Sequence, residues 1–234
     1  RGVEPRHVGI GGMRRVPEHL AEGLDVRTAV RVDRLDLGAG AVTALVGDEP
    51  MATGRAAILT PPLPQALDLL TASGIWLGSA TRAMLDPIDY DACLAVMAHL
   101  NGPSGLPDGH ATPDDGVVAW VADNQHKGTS PLPAITIHST PEFAAEHLES
   151  DPERWVAALV AATEPLLASS VVAAVGHRWR YAMPRQTLDI GALAVVDDPP
   201  ILLAGEVFAG ARVEGAFLSG LAAVKHLLGA PSGT

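Results

Sequence analysis

The chain has 234 residues, of which 47% are hydrophobic, and this length and composition suit one large globular domain or two smaller ones. The formal net charge of -11 argues against a surface that binds nucleic acid or anionic membranes, because the phosphate groups of both would be repelled. The single cysteine, Cys93, excludes an internal disulfide and a zinc site built from several thiolates.

Targeting signals are not apparent in the sequence. No run reaches the roughly 18 consecutive apolar residues of a membrane helix, and the amino-terminal residues lack the pattern of a secretory signal peptide. From these features we expect an intracellular, cytoplasmic protein without a membrane partner. The first residue is Arg1 rather than methionine, from which we expect a fragment, a processed chain or a chain completed by a partner.

Near the amino terminus, apolar residues at helical spacing predict a helix that ends at Gly23. These residues are Val16, Leu20, Ala21 and Leu24. The preceding glycines at positions 9, 11 and 12 lack both a preceding strand and the six-residue spacing of a dinucleotide-binding turn. They therefore do not predict a phosphate-binding loop.

Short strands follow this helix. Alternating residues that include Val32 predict a strand over 26–35, and two further apolar runs predict strands over 42–46 and 56–59. Together they predict a small meander, which the proline-rich run 60–65 closes before a short helix.

The middle of the chain predicts a second sheet and two helices. The strands are predicted over 89–100, 117–121 and 134–139, and the helices over 141–147 and 152–167. Asp151 has the side chain of a helix N-cap, and Pro152 occupies the first helical position. A strand over 171–175 then leads into the run 177–184, where alternation places Trp179 and Tyr181 on one face and two arginines on the other.

The segment 201–223 predicts a buried strand, a glycine-rich turn and a helix. Four apolar residues without alternation, from Ile201 to Ala204, suit a strand buried on both faces. The glycines that follow permit a tight turn before an apolar helix. A helix start presents unpaired N–H groups and a partial positive charge, so it can receive an anion or a carbonyl. A glycine-rich connection within a packed core explains the same pattern without a ligand.

The run from Ala204 to Gly220 also resembles a known motif. Ala-Gly-Glu, then Phe and Gly, then Arg-Val-Glu-Gly-Ala-Phe-Leu-Ser-Gly is similar to the carboxyl-terminal flavin motif of the amine-oxidase and renalase-like FAD oxidoreductases. The resemblance implies that Glu206 holds the ribityl chain of FAD and that the helix start faces the pyrimidine edge of the flavin. The cofactor-binding residues it implies are Val32, Gly205, Glu206, Arg212, Val213, Glu214, Gly215 and Ala216.

Two other stretches resemble the same family. One comprises Gly12, Met13, Leu20, Ala21, Val32 and the run 56–65, and it implies that the backbone at Val32 meets the adenine. The other is the run from His177 to Pro184, which implies that Trp179 and Tyr181 form a wall beside the substrate. By the same resemblance Trp120 and Asn124 face the substrate cavity. As plain structural residues, the aromatic side chains belong to the core and Asn124 to a turn; His138 and His177 are either polar contacts of the substrate or hydrogen-bonded sheet residues.

The resemblance implies a mixed α/β (α+β) fold of two domains. Residues 1–70 and 171–234 would form part of an FAD-binding domain of the glutathione-reductase and para-hydroxybenzoate-hydroxylase type, and residues 71–170 an antiparallel-sheet substrate domain. The sequence contains no Gly-x-Gly-x-x-Gly turn for the FAD pyrophosphate. A separate amino-terminal dinucleotide-binding chain, or a second copy in a homo-oligomer, would then cover the apolar surface left beside the 201–204 strand.

The function implied by the resemblance is an FAD-dependent oxidoreductase. It would abstract a hydride from a C–H bond next to nitrogen in a small-molecule amine or a reduced nicotinamide, and dioxygen would reoxidise the flavin. The nine histidines show no convincing metal-ligand spacing, so no metal is expected. The alternative is a non-catalytic binding or assembly subunit, or a fragment, that has lost the cofactor and needs a partner chain.

Overall fold

A computed structural model describes residues 7–114 and 116–229 as a mixed α/β fold. The described chain forms two compact units. The first unit comprises residues 7–26 and 91–182, and the second comprises residues 27–90 and 183–229. The domain division predicted from the sequence changes near residues 70 and 171, whereas the compact units change near residues 26, 90 and 182. Residues 7–26, which the prediction placed in the FAD-binding portion, belong to the first unit. The outer ends of the predicted ranges, 1–6 and 230–234, lie outside the described residues.

The regular elements are named here in chain order. The helices are α1 (Arg15–Leu20), α2 (Leu63–Ala72), α3 (Ser79–Leu85), α4 (Pro141–His147), α5 (Pro152–Thr163), α6 (Glu206–Ala209) and α7 (Val213–Leu227). The strands are β1 (Arg34–Gly38), β2 (Ala41–Val46), β3 (Glu49–Gly54), β4 (Ala57–Leu59), β5 (Tyr90–Leu100), β6 (His110–Ala111), β7 (Val118–Asp123), β8 (Ala134–Ser139), β9 (Val171–Pro184), β10 (Leu193–Asp197) and β11 (Pro200–Leu203).

The second unit contains two three-stranded sheets. One is the antiparallel meander β1-β2-β3, and the other has the strand order β10-β11-β4. Strand β11 runs parallel to β4, with Leu202 opposite Ile58, and antiparallel to β10. Ile201, Leu202 and Leu203 are at most 1% exposed, which confirms the predicted strand buried on both faces.

The first unit is a five-stranded sheet with helices on one face. The strand order is β6-β7-β8-β5-β9, and alternate residues of β5, β7 and β8 pack with α4 and α5 in a shared core. Trp155 of α5 packs so closely on β9 that a Cβ at Gly176 would lie 2.7 Å from a ring carbon. Asp151 caps α5 by accepting a hydrogen bond of 3.0 Å from the Glu153 N–H, which confirms the predicted cap.

Three predictions differ from the structure. The run 56–59 was predicted to belong to the meander, but it forms β4, which pairs with β11, and the third meander strand is β3, which the sequence did not predict. The predicted strand over 26–35 is wrong for its first eight residues, because β1 begins only at Arg34. Ala29 in that segment has φ of 58°, a left-handed conformation that an extended strand cannot contain. The helix predicted over 152–167 ends at Thr163 and continues as a single 3₁₀ turn that contains Pro165, since proline cannot donate the next helical hydrogen bond.

Other predicted boundaries are close to those observed. β8 and α4 occupy the predicted ranges, and the two predicted pieces at 171–175 and 177–184 form one continuous strand, β9. None of the described helices has the length and hydropathy needed to cross a bilayer. Within the described ranges, no group of three or more His, Cys, Asp or Glu side chains could hold a metal ion.

Candidate flavin site and substrate face

The flavin-like segment begins where two parallel strands end. β4 ends at Leu59 and β11 at Leu203, and the Ala204 N–H donates a hydrogen bond of 3.0 Å to the Leu59 carbonyl. A Cβ placed on Gly205 would lie 3.9 Å from the Thr60 carbonyl oxygen. In open α/β sheets, ligands bind beyond the carboxyl ends of parallel strands. The segment that follows β11 therefore lies at the edge where a ligand is expected.

Gly205 has a backbone conformation that other residues avoid. Its φ is 141° and its ψ is -168°, a region open essentially to glycine alone. Its N–H donates to Ser219 Oγ at 2.8 Å, and the Ser219 hydroxyl donates to the Gly191 carbonyl at 2.6 Å. Ser219 is fully buried in α7. The Ser219 hydroxyl thus links the turn at Gly205, helix α7 and the segment before β10.

Glu206 is held by Tyr90, a residue that the sequence analysis did not identify. The Tyr90 hydroxyl donates to Glu206 Oε1 at 3.1 Å and accepts a hydrogen bond of 3.1 Å from the Leu63 N–H at the start of α2. Burial raises the pKa of Tyr90, and the Glu206 carboxylate raises it further, so the phenol stays protonated and donates. A separation of 116 residues gives no local signal of this contact.

One carboxylate oxygen of Glu206 is therefore fixed by a protein donor. In the part of the chain that the structure describes, its other oxygen, Oε2, meets no protein donor. A carboxylate oxygen that is oriented but not saturated can accept a hydrogen bond from a ligand hydroxyl. This geometry suits the ribityl-binding role that the family resemblance gives to Glu206.

The start of α7 approaches the preceding turn closely. A Cβ at Gly215 would lie 2.7 Å from the Ala209 carbonyl oxygen, and Gly210 has φ of 116°. Arg212 precedes the helix in extended conformation and its side chain makes no capping bond. The N–H groups of Val213, Glu214 and Gly215 thus have no partner within the helix. Together with the positive end of the helix dipole, they can receive a carbonyl oxygen or an anion.

A cavity of about 1260 Å³ lies in the second unit between the meander, β4 and α2. Its wall includes Val32, Thr60 and residues of β4, α2 and the meander, and a Cβ built on Gly205 would lie 3.9 Å from the Thr60 carbonyl oxygen. The cavity is open on one side and is larger than the usual range of roughly 300–1,000 Å³ for small-molecule pockets. Of its lining residues, the sequence analysis singled out only Val32 for a ligand role. The Val32 contact with adenine stays a prediction.

In the first unit, the predicted substrate residues of the sheet strands lie on the face opposite the core shared with α4 and α5. Trp120 of β7 stacks on His110 of β6, with ring centroids 4.8 Å apart and an angle of 24° between the ring planes. Trp120 also lies opposite His138 of β8. Desolvation against the sheet, together with the positive charge of Lys127, lowers the pKa of His138. His138 is therefore a neutral hydrogen-bonding group near pH 7.

The edge strand β9 shows the predicted alternation. Trp179 is 53% exposed and meets His177 edge-on, with ring centroids 4.4 Å apart. On the opposite face, Arg178 donates to the Ser150 carbonyl at 2.9 Å and Arg180 donates to Glu149 at 2.6 Å. The arginines thus hold the connection between α4 and α5. Trp179 and, by alternation, Tyr181 lie on the face opposite these arginines.

Asn124 lies in the turn after β7. Its side-chain amide donates to Thr136 Oγ1 at 2.9 Å, and its backbone carbonyl accepts from the N–H and hydroxyl of Thr129. These bonds support the structural interpretation, in which Asn124 shapes a turn. Its predicted contact with substrate is not tested by them. The structure thus places the cofactor predictions in the second unit and the substrate predictions in the first.

Comparison with known proteins gives the family. The model of the flavin-containing amine oxidoreductases matches residues 3–228. Putrescine oxidase bound to putrescine has a similar structure, with a TM-score of 0.66, 19% identity, and coverage of 93% of this chain and 53% of that one. Cyclohexylamine oxidase from Brevibacterium oxydans IH-35A has a TM-score of 0.61 and 15% identity over 93% of this chain and 53% of that one.

An oxidoreductase from Methanosarcina mazei is also similar, with a TM-score of 0.63 and 16% identity over 92% of this chain and 54% of that one. At these identities the structural likeness shows a shared fold. The chain spans about half the length of the solved structures it matches. The family match over nearly the whole sequence shows that the chain belongs to the flavin-containing amine oxidoreductases, for which FAD is the expected cofactor.

Proposed function

We propose that this chain provides the flavin-ring side of an FAD site and the substrate face of an amine-oxidising enzyme of renalase-like type. The observation that carries the proposal is the arrangement of Glu206, Gly215 and the uncapped start of α7 at the carboxyl end of β11. Each feature there suits a flat, polar cofactor: an oriented carboxylate, a turn that only glycine can make, and free N–H donors.

The residues present fit FAD in named roles. Glu206 would accept a hydrogen bond from a ribityl hydroxyl, and the first-turn N–H groups of α7 would donate to the pyrimidine edge of the ring. Backbone at Val32 would bind the adenine within the cavity of the second unit. FAD supplies the redox chemistry when bound, and the protein binds, orients and shields the reactants.

The reaction we propose is oxidation of a C–H bond next to nitrogen, in an amine or a reduced nicotinamide. In the amine case the substrate loses two electrons and two protons to become an imine, and dioxygen gains both to become hydrogen peroxide. Trp120, Trp179 and Tyr181 would orient the substrate on the face of the sheet opposite α4 and α5. None of these steps requires a metal.

The FAD pyrophosphate would be bound by another polypeptide segment. Helix α7 and its C-cap residue carry an exposed apolar stripe, whose members are 44–78% exposed: Val213, Phe217, Leu221, Val224 and Leu228. In the described part of the chain, β4 ends its sheet and has one edge without a neighbouring strand. We propose that a dinucleotide-binding segment from outside residues 1–234 adds to this edge and covers the stripe.

The visible absorption spectrum of the purified protein tests this function. We expect flavin bands near roughly 370 and 450 nm, from the chain alone or co-expressed with the reading frame immediately upstream. The bands should bleach when an amine or reduced nicotinamide is added without oxygen. Protein that stays colourless with added FAD in both preparations contradicts the proposal and supports a non-catalytic assembly subunit.

A further inference from the structure

One hydroxyl group joins the two segments that follow the parallel strands of the second unit. Helix α2 begins at Leu63, shortly after β4 ends, and Glu206 follows the end of β11. The Tyr90 hydroxyl accepts a hydrogen bond of 3.1 Å from the Leu63 N–H and donates one of 3.1 Å to Glu206 Oε1. The hydroxyl thus lies at the edge of the sheet where ligands of α/β proteins bind.

The Tyr90 side chain is held in one orientation. It is 8% exposed, and its backbone N–H donates to Asp89 Oδ1 at 2.8 Å. The Asp89 carbonyl in turn accepts a hydrogen bond of 2.9 Å from the Arg185 N–H. Burial raises the pKa of the Tyr90 phenol, so the hydroxyl keeps its proton across the neutral range. A buried phenol with few side-chain torsions is a rigid hydrogen-bond donor.

The hydrogen bond from Leu63 supports helix α2. The N-cap residue of this helix, Pro62, provides no side-chain capping bond, and the first N–H groups of a helix have no partner within it. The Tyr90 hydroxyl supplies the acceptor for one of them. A role confined to this helix would stabilise the fold and would not distinguish one flavin compound from another.

The hydrogen bond to Glu206 has a different consequence. It fixes one oxygen of a carboxylate that is only partly buried, and the other oxygen meets no protein donor in the described part of the chain. An ionised carboxylate only accepts hydrogen bonds, so the ligand group that it can receive is a hydroxyl or an N–H donor. The ribityl chain is the part of a flavin that carries hydroxyl donors. A binding side chain is most effective when a neighbouring hydrogen bond holds it in the productive orientation.

We infer that Tyr90 is a positioning residue for the cofactor, whose hydroxyl orients Glu206 toward the ribityl chain. The inference rests on the proposed function, since it assigns the support of the flavin site to a residue of this chain. It predicts a specific dependence on the ligand. Compounds that carry a ribityl chain should depend on the Tyr90 hydroxyl, and compounds that carry only the flavin ring should not.

Titration with two flavin compounds, followed by flavin fluorescence, tests the inference. Riboflavin carries the ribityl chain, and lumiflavin has a methyl group in its place. The protein is the full chain in the form that takes up FAD, freed of flavin. We expect Tyr90→Phe to weaken riboflavin binding several-fold, as the loss of one hydrogen bond implies, and to leave lumiflavin binding unchanged. In a Glu206→Ala background, Tyr90→Phe should have no further effect on riboflavin binding, because no carboxylate is left to orient.

A control variant removes a hydroxyl from α2 instead. Thr71 donates to the Leu67 carbonyl at 2.9 Å within this helix, so Thr71→Val should leave both affinities unchanged. Equal weakening of riboflavin and lumiflavin in Tyr90→Phe, no change in either, or an undiminished loss in the Glu206→Ala background would each overturn the inference and leave the flavin site in place. Failure of the natural chain to bind riboflavin would overturn the proposed flavin site together with the inference that depends on it.

A second measurement leaves Tyr90 unsubstituted, so it does not depend on the folding of that variant. The chain contains two tyrosines, and the ring carbon that bears the hydroxyl can be labelled with carbon-13 and assigned by comparison with Tyr181→Phe. The Tyr90 signal reports the hydrogen bonding of its hydroxyl. We expect riboflavin to shift this signal more than lumiflavin does, because only the ribityl chain forms a hydrogen bond with Glu206. Equal shifts with both compounds would contradict the positioning role.

Discussion

The same Gly→Ala substitution at two positions of α7 distinguishes the cost of close packing from the gain in helix propensity. Gly215→Ala places a methyl group 2.7 Å from the Ala209 carbonyl oxygen, whereas Gly220→Ala meets no atom within 4 Å. Both lie in α7, and each gains up to about 1 kcal/mol of helix propensity. Only Gly215→Ala also forces the turn before α7 to move, at a cost of roughly 1–3 kcal/mol.

The difference between the two variants therefore isolates the packing cost. We expect denaturant unfolding to show that Gly220→Ala is slightly more stable than the natural chain and that Gly215→Ala is less stable than Gly220→Ala by about 1–3 kcal/mol. In the flavin-loaded protein, Gly215→Ala should also weaken FAD binding because it displaces the helix start. Equal stabilities of the two variants would refute the claim that this glycine is required for the close approach.

Three further substitutions test individual contacts. Ser219→Ala leaves a partly buried N–H and a partly buried carbonyl without their shared hydroxyl, so the free energy of unfolding should fall by about 1–2 kcal/mol; an unchanged value would contradict that role. Tyr90→Phe releases one oxygen of Glu206, and FAD titration should show several-fold weaker binding, whereas unaltered affinity would mean that the phenol does not orient the carboxylate. Burial of Asp123 raises its pKa, but hydrogen bonds from the Ser104 hydroxyl and from backbone N–H groups lower it by more. These bonds therefore stabilise the fold above the unfolded-state pKa of Asp123. Their contribution is lost as the pH falls through the folded-state pKa. Ser104→Ala should therefore cost about 1 kcal/mol at pH 7 and less in acid; a cost that grows on acidification would contradict this sign.

The sequence predicted those elements whose pattern is local. Apolar residues without polar alternation marked β11, and the cap pair at Asp151 and Pro152 marked the start of α5. The alternation around Val32 was misleading, because side-chain spacing does not reveal the left-handed turn at Ala29 that prevents a strand. Backbone conformation of this kind depends on tertiary context, which a periodic pattern does not contain.

For a similar reason, the sequence predicted some residues of the candidate site and missed others. Glycine spacing and family resemblance identified Gly205, Glu206 and Gly215, whose roles are expressed within one short segment. Tyr90 and Ser219 were missed, since each acts through a contact with a residue distant in sequence. Buried hydroxyl groups that bridge separate elements carry no sequence signature beyond their residue type.

Titration with FAD, followed by flavin fluorescence, tests the central claim that the turn after β11 holds the flavin. The protein form that takes up FAD should be compared with Glu206→Gln and with Glu153→Gln, a charge-matched control on α5 of the first unit. We expect Glu206→Gln to weaken binding by about tenfold, as the loss of a charge-assisted hydrogen bond implies, and Glu153→Gln to bind as the natural chain does. Equal affinities of all three proteins would contradict the assignment of the flavin to this segment.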